Sequence, residues 1–207
     1  LDFSLKSVGI HALGRRAEIL KINYRNSEEI CRYADAFRQR FMDDTPIVVK
    51  DDVDIFTPEE DTTGTNDGIP TVAVEAGGEH SGYEPEFLRF ASRSEEIKAI
   101  IHTWHNEGAA YGDIAVLCHT NKRCEALAHT LGNVGIPLQN PISSDERKHY
   151  RPDPEKILLC TLHSSKGGEF PRVIISGVDT LHDDSEEQRQ QNARLLYVGM
   201  TRAQSHL

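Results

Sequence analysis

Apolar residues fall into two rhythms along this chain. Short unbroken runs, such as Ile114-Ala115-Val116-Leu117 within 113–118, recur at 156–161 and 172–176. Runs of that length, without polar alternation, read as strands covered on both faces. Between them, apolar positions repeat every three or four residues. Ile97, Ile100, Ile101 and Trp104 form one helical face, and Cys124, Leu127, Ala128, Leu131 and Val134 another, closed by Gly135 and Pro137. Ser185 with Gln188 opens a last helix whose inner face is Ala193, Leu196, Met200 and Ala203, and Ser205-His206-Leu207 stands where another strand could begin. In the first half, a strand-like stretch at 19–22 precedes a helix over 26–40. That helix has Asn26 and Glu29 at capping-box spacing and Ile30, Tyr33, Ala34 and Phe37 on one side. A short strand is predicted at 87–91, followed by a second capping box, Ser92 with Glu95. The acidic stretch 43–82 between them, with Asp51-Asp52 and Glu59-Glu60-Asp61, reads as solvated loop, extended only near 47–49 and 70–74.

Apolar strands alternating with amphipathic helices predict an α/β fold: a mostly parallel sheet flanked by helices on both faces. Ligands in such folds gather at the carboxyl ends of strands, and Thr161 to Glu169 follows the carboxyl end of one.

Composition narrows the function. A chain of 207 residues with 38% hydrophobic and 27% charged residues can bury a core. The net charge of −10 argues against binding nucleic acid through bulk charge and leaves room for a local cationic groove. No apolar run reaches membrane-spanning length and no signal-peptide pattern opens the chain, so no membrane partner is expected. Cys31, Cys118, Cys124 and Cys160 include no Cys-x-x-Cys pair, so no metal site is expected. Cys118 and Cys160 read as small buried residues on strands of a reduced, cytoplasmic protein. Leu1 is not a start residue, and the chain stops just after a helix; both suggest a piece of a larger protein.

Three strings carry chemistry. In Thr161-Leu162-His163-Ser164-Ser165-Lys166-Gly167-Gly168-Glu169-Phe170, hydroxyls and glycines offer donors at close approach. Such groups suit phosphates of a nucleotide or of a DNA backbone. Lys166 adds a charge, and Glu169 can accept from a ribose hydroxyl. A plain strand-to-strand connection, with His163 as a packing residue and Lys166 as a surface charge, is the alternative. In Leu195-Leu196-Tyr197-Val198-Gly199-Met200-Thr201-Arg202-Ala203, Arg202 near a helix end is either a cation complementing the helix dipole or a guanidinium for a phosphate. In Ile22-Asn23-Tyr24-Arg25-Asn26, Tyr24 could pack or stack, and Arg25 could be a surface charge or a phosphate ligand.

All three strings, in this order, resemble those of the UvrD/Rep-type superfamily 1 DNA helicases. The resemblance implies that Thr161, His163 and Ser164 face DNA, and that Gly167 and Glu169 face ATP, with Glu169 on the sugar. It implies that Tyr24 stacks on adenine, that Arg25 reaches the γ-phosphate, and that Arg202 is the arginine finger. Gly168 stands where the family usually has Leu, and Gly199 where it usually has Ala. No Gly-x-x-x-x-Gly-Lys-Thr phosphate loop and no acidic Walker-B-type strand occur in the chain. Residues 1–207 then correspond to a C-terminal RecA-like motor domain. ATP and Mg²⁺ would be held mainly by a missing N-terminal RecA-like domain, and single-stranded DNA would be the track. The stretch from Pro141 to Glu155 is too short for the large helical insert of the best-known members. The implied activity is that of an ATP-dependent DNA helicase or translocase, silent in this piece alone. The rivals are a nuclease-fused or toxin-associated member of the family, and a degenerate motor domain serving as an interaction module in a repair or defence complex.

Overall fold

The computed structural model of the chain describes residues 25–42, 81–89, 93–181 and 184–207. The expected extended stretches at 19–22, 47–49 and 70–74 lie outside them, as do Tyr24 and Ser92. The elements are α1 (Glu28–Phe41), α2 (Arg93–Asn106), β1 (Ile114–Cys118), α3 (Asn121–Asn133), β2 (Leu138–Gln139), α4 (Ser144–Lys148), β3 (Ile157–Thr161), β4 (Phe170–Ser176), α5 (Glu186–Met200) and β5 (Ala203–His206). The strands form one sheet, ordered β2-β3-β1-β4-β5, with every pairing parallel.

The unbroken apolar runs have the predicted cause. All five residues of β1 and of β3 are buried. Alternate positions feed opposite faces. Ala115, Leu117, Leu158 and Cys160 pack with Ile30 and Ala34 of α1 and with Leu195, Leu196 and Met200 of α5. Ile114, Val116, Cys118, Ile157 and Leu159 pack with Ile97 and Ile101 of α2 and with Cys124, Leu127 and Leu131 of α3. Each fully buried Leu or Ile contributes about 1.5–3 kcal/mol. None of the four cysteines is in a disulfide, and Cys118, Cys124 and Cys160 are buried. Among the described residues, no helix is long and apolar enough to cross a membrane.

Several local expectations are corrected. The cap of α1 is Ser27, whose hydroxyl accepts from the Ile30 amide at 3.5 Å; Asn26 is used elsewhere. Val134 ends α3 half-exposed, because the helix terminates at Asn133 and Gly135 turns away at φ +82°. Ala203 lies on β5 and not on the face of α5. The stretch from Pro141 to Glu155 holds a five-residue helix, α4, started by a capping box between Ser143 and Glu146. Residues 87–89 form no strand; residues 90 and 91 are outside the described set. The backbone from 81 to 89 instead runs beside β5, where the Tyr83 amide donates to the Ser205 carbonyl at 3.0 Å and the Glu86 amide to the Leu207 carbonyl at 2.9 Å.

This strap shields the β5 edge, which would otherwise offer unpaired backbone groups. Tyr83 stacks on His206 with centroids 3.9 Å apart, and Arg32 pairs with Glu84. Glu29 of α1 accepts from the Gly82 amide at 2.8 Å and from the Ser81 hydroxyl at 3.0 Å. Its own backbone amide, then that of Gly82, lower the carboxyl from its ordinary 4.5 to about 2. A depressed carboxyl stabilises the strap fully above its unfolded value, and that contribution is lost as pH falls through the folded value. Protection of the Tyr83 and Glu86 amides against exchange should therefore fall between about pH 4.5 and pH 2. Glu29→Gln should lower protection at neutral pH and erase that acid step. An acid step of unchanged size in Glu29→Gln would show that another group holds the strap.

Candidate functional site

The loop after β3 has to cross the sheet. β1 pairs Cys118 with Thr161 and Ile114 with Arg172, both in parallel. Thr161 and Phe170 are thus about six residue positions apart along the strand direction, roughly 20 Å. Thr161 to Glu169 does follow the carboxyl end of β3, as expected, but it does not stay there. The loop begins there and ends at the opposite edge, where β4 and β5 begin.

The beginning of the loop is a tight series of turns. The Ser165 amide donates to the Thr161 carbonyl at 3.1 Å, and the Gly168 amide to the Ser165 carbonyl at 3.0 Å. Thr161 Oγ1 donates to Ser164 Oγ at 2.9 Å and accepts from the Ser164 amide at 3.1 Å. Ser165 Oγ donates to the Leu162 carbonyl at 2.7 Å. Thr161, Leu162, Ser164 and Ser165 are buried, whereas His163 and Lys166 are partly exposed. The hydroxyls near the carboxyl edge therefore shape the loop from inside, and His163 and Lys166 are the side chains it presents. Gly167 takes φ +82°, a left-handed turn that suits glycine. Gly168 shows no such angle; its carbonyl is the acceptor used by Arg202.

At the other edge the three strings meet. Arg25 Nε lies 2.5 Å from Glu169 Oε1, with both side chains partly exposed. Arg202, just past α5, donates from Nη1 to the Gly168 carbonyl at 3.2 Å, from Nε to the Val198 carbonyl at 3.1 Å, and from Nη2 to Thr201 Oγ1 at 3.2 Å. Its carbonyl accepts from the Phe170 amide at 2.9 Å. Asn26, 1% exposed, joins the first string to the last: Nδ2 donates to the Thr201 carbonyl at 3.0 Å and to the Ala203 carbonyl at 2.5 Å. Two guanidiniums and a carboxylate thus share one edge, an arrangement suited to phosphates and a sugar hydroxyl. No group of three His, Cys, Asp or Glu among the described residues is placed to hold a metal.

Gly199 has its own reason to be small. A Cβ there would fall 2.4 Å from Leu162 Cδ2 and 3.2 Å from Ile175 Cδ1. The missing methyl lets α5 lie close against the start of the crossing loop.

Two residues escaped the sequence reading. Asn26 was read as a helix cap, with no local sign that its amide spans 175 residues. Arg147 lay in a stretch read as simple connection. Its Nη1 donates to Ser164 Oγ at 3.1 Å, Nη2 to the Ile142 carbonyl at 2.6 Å, and Nε to the Ser143 carbonyl at 3.3 Å.

Comparison with known proteins finds relatives of one kind. ATP-dependent DNA helicase UvrD1 of Mycobacterium leprae is 30% identical over 150 residues, covering 65% of this chain and 19% of that protein. ATP-dependent DNA helicase Rep of Escherichia coli K12 is 40% identical over 67 residues, covering 30% of this chain and 10% of that protein. A probable DNA helicase of Mycoplasma pneumoniae is 30% identical over 110 residues, covering 49% and 18%. These alignments span at most 19% of each relative's length. The C-terminal domain of a possible DNA helicase from Lactobacillus plantarum WCFS1 superposes with a TM-score of 0.44 and 21% identity, over 59% of this chain and 68% of that one. The UvrD-like helicase C-terminal domain matches residues 19–141 and 138–207, nearly the whole sequence. This chain belongs to the UvrD-like helicase C-terminal domain family.

Proposed function

We propose that this chain is the second motor domain of an ATP-dependent DNA helicase or translocase, and that its ATP site is completed by an N-terminal RecA-like domain elsewhere in the protein. The observation that carries the proposal is the convergence of Arg25, Glu169 and Arg202 at one sheet edge. Arg25 and Arg202 would meet the phosphates, Glu169 the ribose, and Tyr24, outside the described residues, the adenine. Gly167 keeps the backbone open where the loop approaches the nucleotide. ATP supplies the phosphoryl group, and Mg²⁺ would be held mainly by the N-terminal domain. Arg202 would stabilise the charge that develops as the terminal phosphate departs.

The crossing loop explains coupling. One end, presenting His163 on the turn that Thr161 and Ser164 shape, would meet single-stranded DNA; the other, at Gly167 and Glu169, would meet ATP. Closure of the two motor domains on ATP would bias the loop between two arrangements with different hold on the track. The two family matches meet at 138–141, which supports a domain lacking the large helical insert. Placement in the cytoplasm and in DNA repair belongs to this same reading.

The test is His163→Ala in the full-length protein. DNA-stimulated ATP turnover should fall by about tenfold or more, basal turnover much less, and single-stranded DNA binding only modestly, since one contact among many phosphate contacts carries part of the affinity. Equal proportional losses with a lowered Tm would make His163 a packing residue and end the coupling proposal.

A further inference from the structure

Arg147 is held in a way that no helix-end charge requires. Three residues of its own turn prepare it. Ser143 Oγ accepts from the Glu146 amide at 3.1 Å, and Glu146 Oε2 accepts from the Ser143 amide at 2.9 Å and the Ile142 amide at 3.1 Å. Hydrogen bonds from Ser143 and Ile142 hold the Glu146 carboxyl below its ordinary range, so the carboxylate that closes the turn resists protonation further into acid than an ordinary glutamate. The guanidinium then uses all three of its nitrogens. Two fix it to the carbonyls of Ile142 and Ser143, and the third reaches Ser164, seventeen residues on and 2% exposed. Ser164 Oγ also accepts from Thr161 Oγ1. A continuous chain, Arg147–Ser164–Thr161, therefore runs from α4 into the first turns of the crossing loop. α4 follows the point, 138–141, where the two family matches meet.

We propose that Arg147 is a positioning residue for DNA coupling: it fixes Ser164 and thereby the angle at which the loop presents His163. The proposal rests on the helicase reading above. A charge-assisted hydrogen bond to a buried hydroxyl is strong and directional. A planar fork with two anchored arms delivers the third in one orientation, which an ammonium cannot copy. Nothing in this role requires Arg147 to touch DNA or ATP.

The experiment uses the full-length protein with Arg147→Ala, Arg147→Lys, Ser164→Ala and the double variant Arg147→Ala/Ser164→Ala. Arg147→Ala should lower DNA-stimulated turnover by about tenfold or more, up to the roughly 10²-fold that a misplacement of about 1 Å can cost, with basal turnover within about twofold. Arg147→Lys should not restore the stimulated rate. The double variant should be no worse than the poorer single one, because both remove the same link. Amide exchange should quicken in a peptide covering 162–169 and stay unchanged over 157–161. Multiplying losses together with a shallower salt dependence of DNA binding would make Arg147 a direct phosphate contact and overturn the proposal. Equal basal and stimulated losses with a lowered Tm would overturn it in favour of fold support alone. If the wild-type protein shows no DNA stimulation, the helicase reading fails. Exchange over 162–169 then still decides whether Arg147 holds the loop, and unchanged exchange in Arg147→Ala would end the claim.

Discussion

Replacing Arg202 with Ala should cut ATP turnover by the full-length protein by about 10³ to 10⁵, the range for arginine fingers in other phosphoryl-transfer enzymes. That is about 4–7 kcal/mol of transition-state stabilisation. Nucleotide affinity should change much less, because the guanidinium acts mainly on charge that appears during transfer. The competing account is structural. Arg202 follows the last turn of α5, and its Nε bonds the Val198 carbonyl, as a cation near a helix C-terminus should. Arg202→Lys separates the two. A helix-end charge survives that change nearly intact, since such charges contribute about 0.3–1 kcal/mol. A finger that needs the planar fork does not. Turnover of Arg202→Lys within a few-fold of wild type would return Arg202 to a structural role.

The second large effect concerns Asn26. Asn26→Ala removes two donors from the carbonyls of Thr201 and Ala203 in a buried setting. Each net hydrogen bond is worth about 1 kcal/mol, and a buried carbonyl left short of a donor costs about 1–3 kcal/mol more. A loss of about 2–4 kcal/mol is expected, which lowers Tm by roughly 5–15 °C in a domain of this size. Because Arg25 and Arg202 flank this link, turnover should fall even at temperatures where the variant remains folded. A melting curve within about 1 °C of wild type would show that other contacts hold the strings together.

Most of the sheet was legible because β1 and β3 are buried on both sides and so carry no polar interruption. The capping pairs at Ser185 and Gln188 were equally plain, since the whole motif lies within four residues. The cap of α1 is ambiguous in the sequence for a physical reason. Asn26 and Ser27 are adjacent and both cap well; the choice falls to Ser27 because the amide of Asn26 is claimed by carbonyls at the far end of the chain. β2 has two residues, too few for any pattern. The course of the loop from one edge to the other depends on β1 lying between β3 and β4, a pairing order that local periodicity does not encode. The three strings were legible as candidates because each gathers its charged and polar residues within ten positions. Their convergence was not legible, because it is made by hydrogen bonds across 34 and 175 residues.

In the proposed function, this chain supplies one half of an ATP site whose phosphate loop lies elsewhere. Steady-state ATP hydrolysis by the full-length protein and by the 207-residue chain, side by side with single-stranded DNA, tests it most directly. The full-length protein should show DNA-stimulated turnover and the isolated chain only background rates, together with a cooperative melting transition showing that the chain is folded. Turnover by the isolated chain that disappears with Arg202→Ala would contradict it, because the active site would then be complete within these residues.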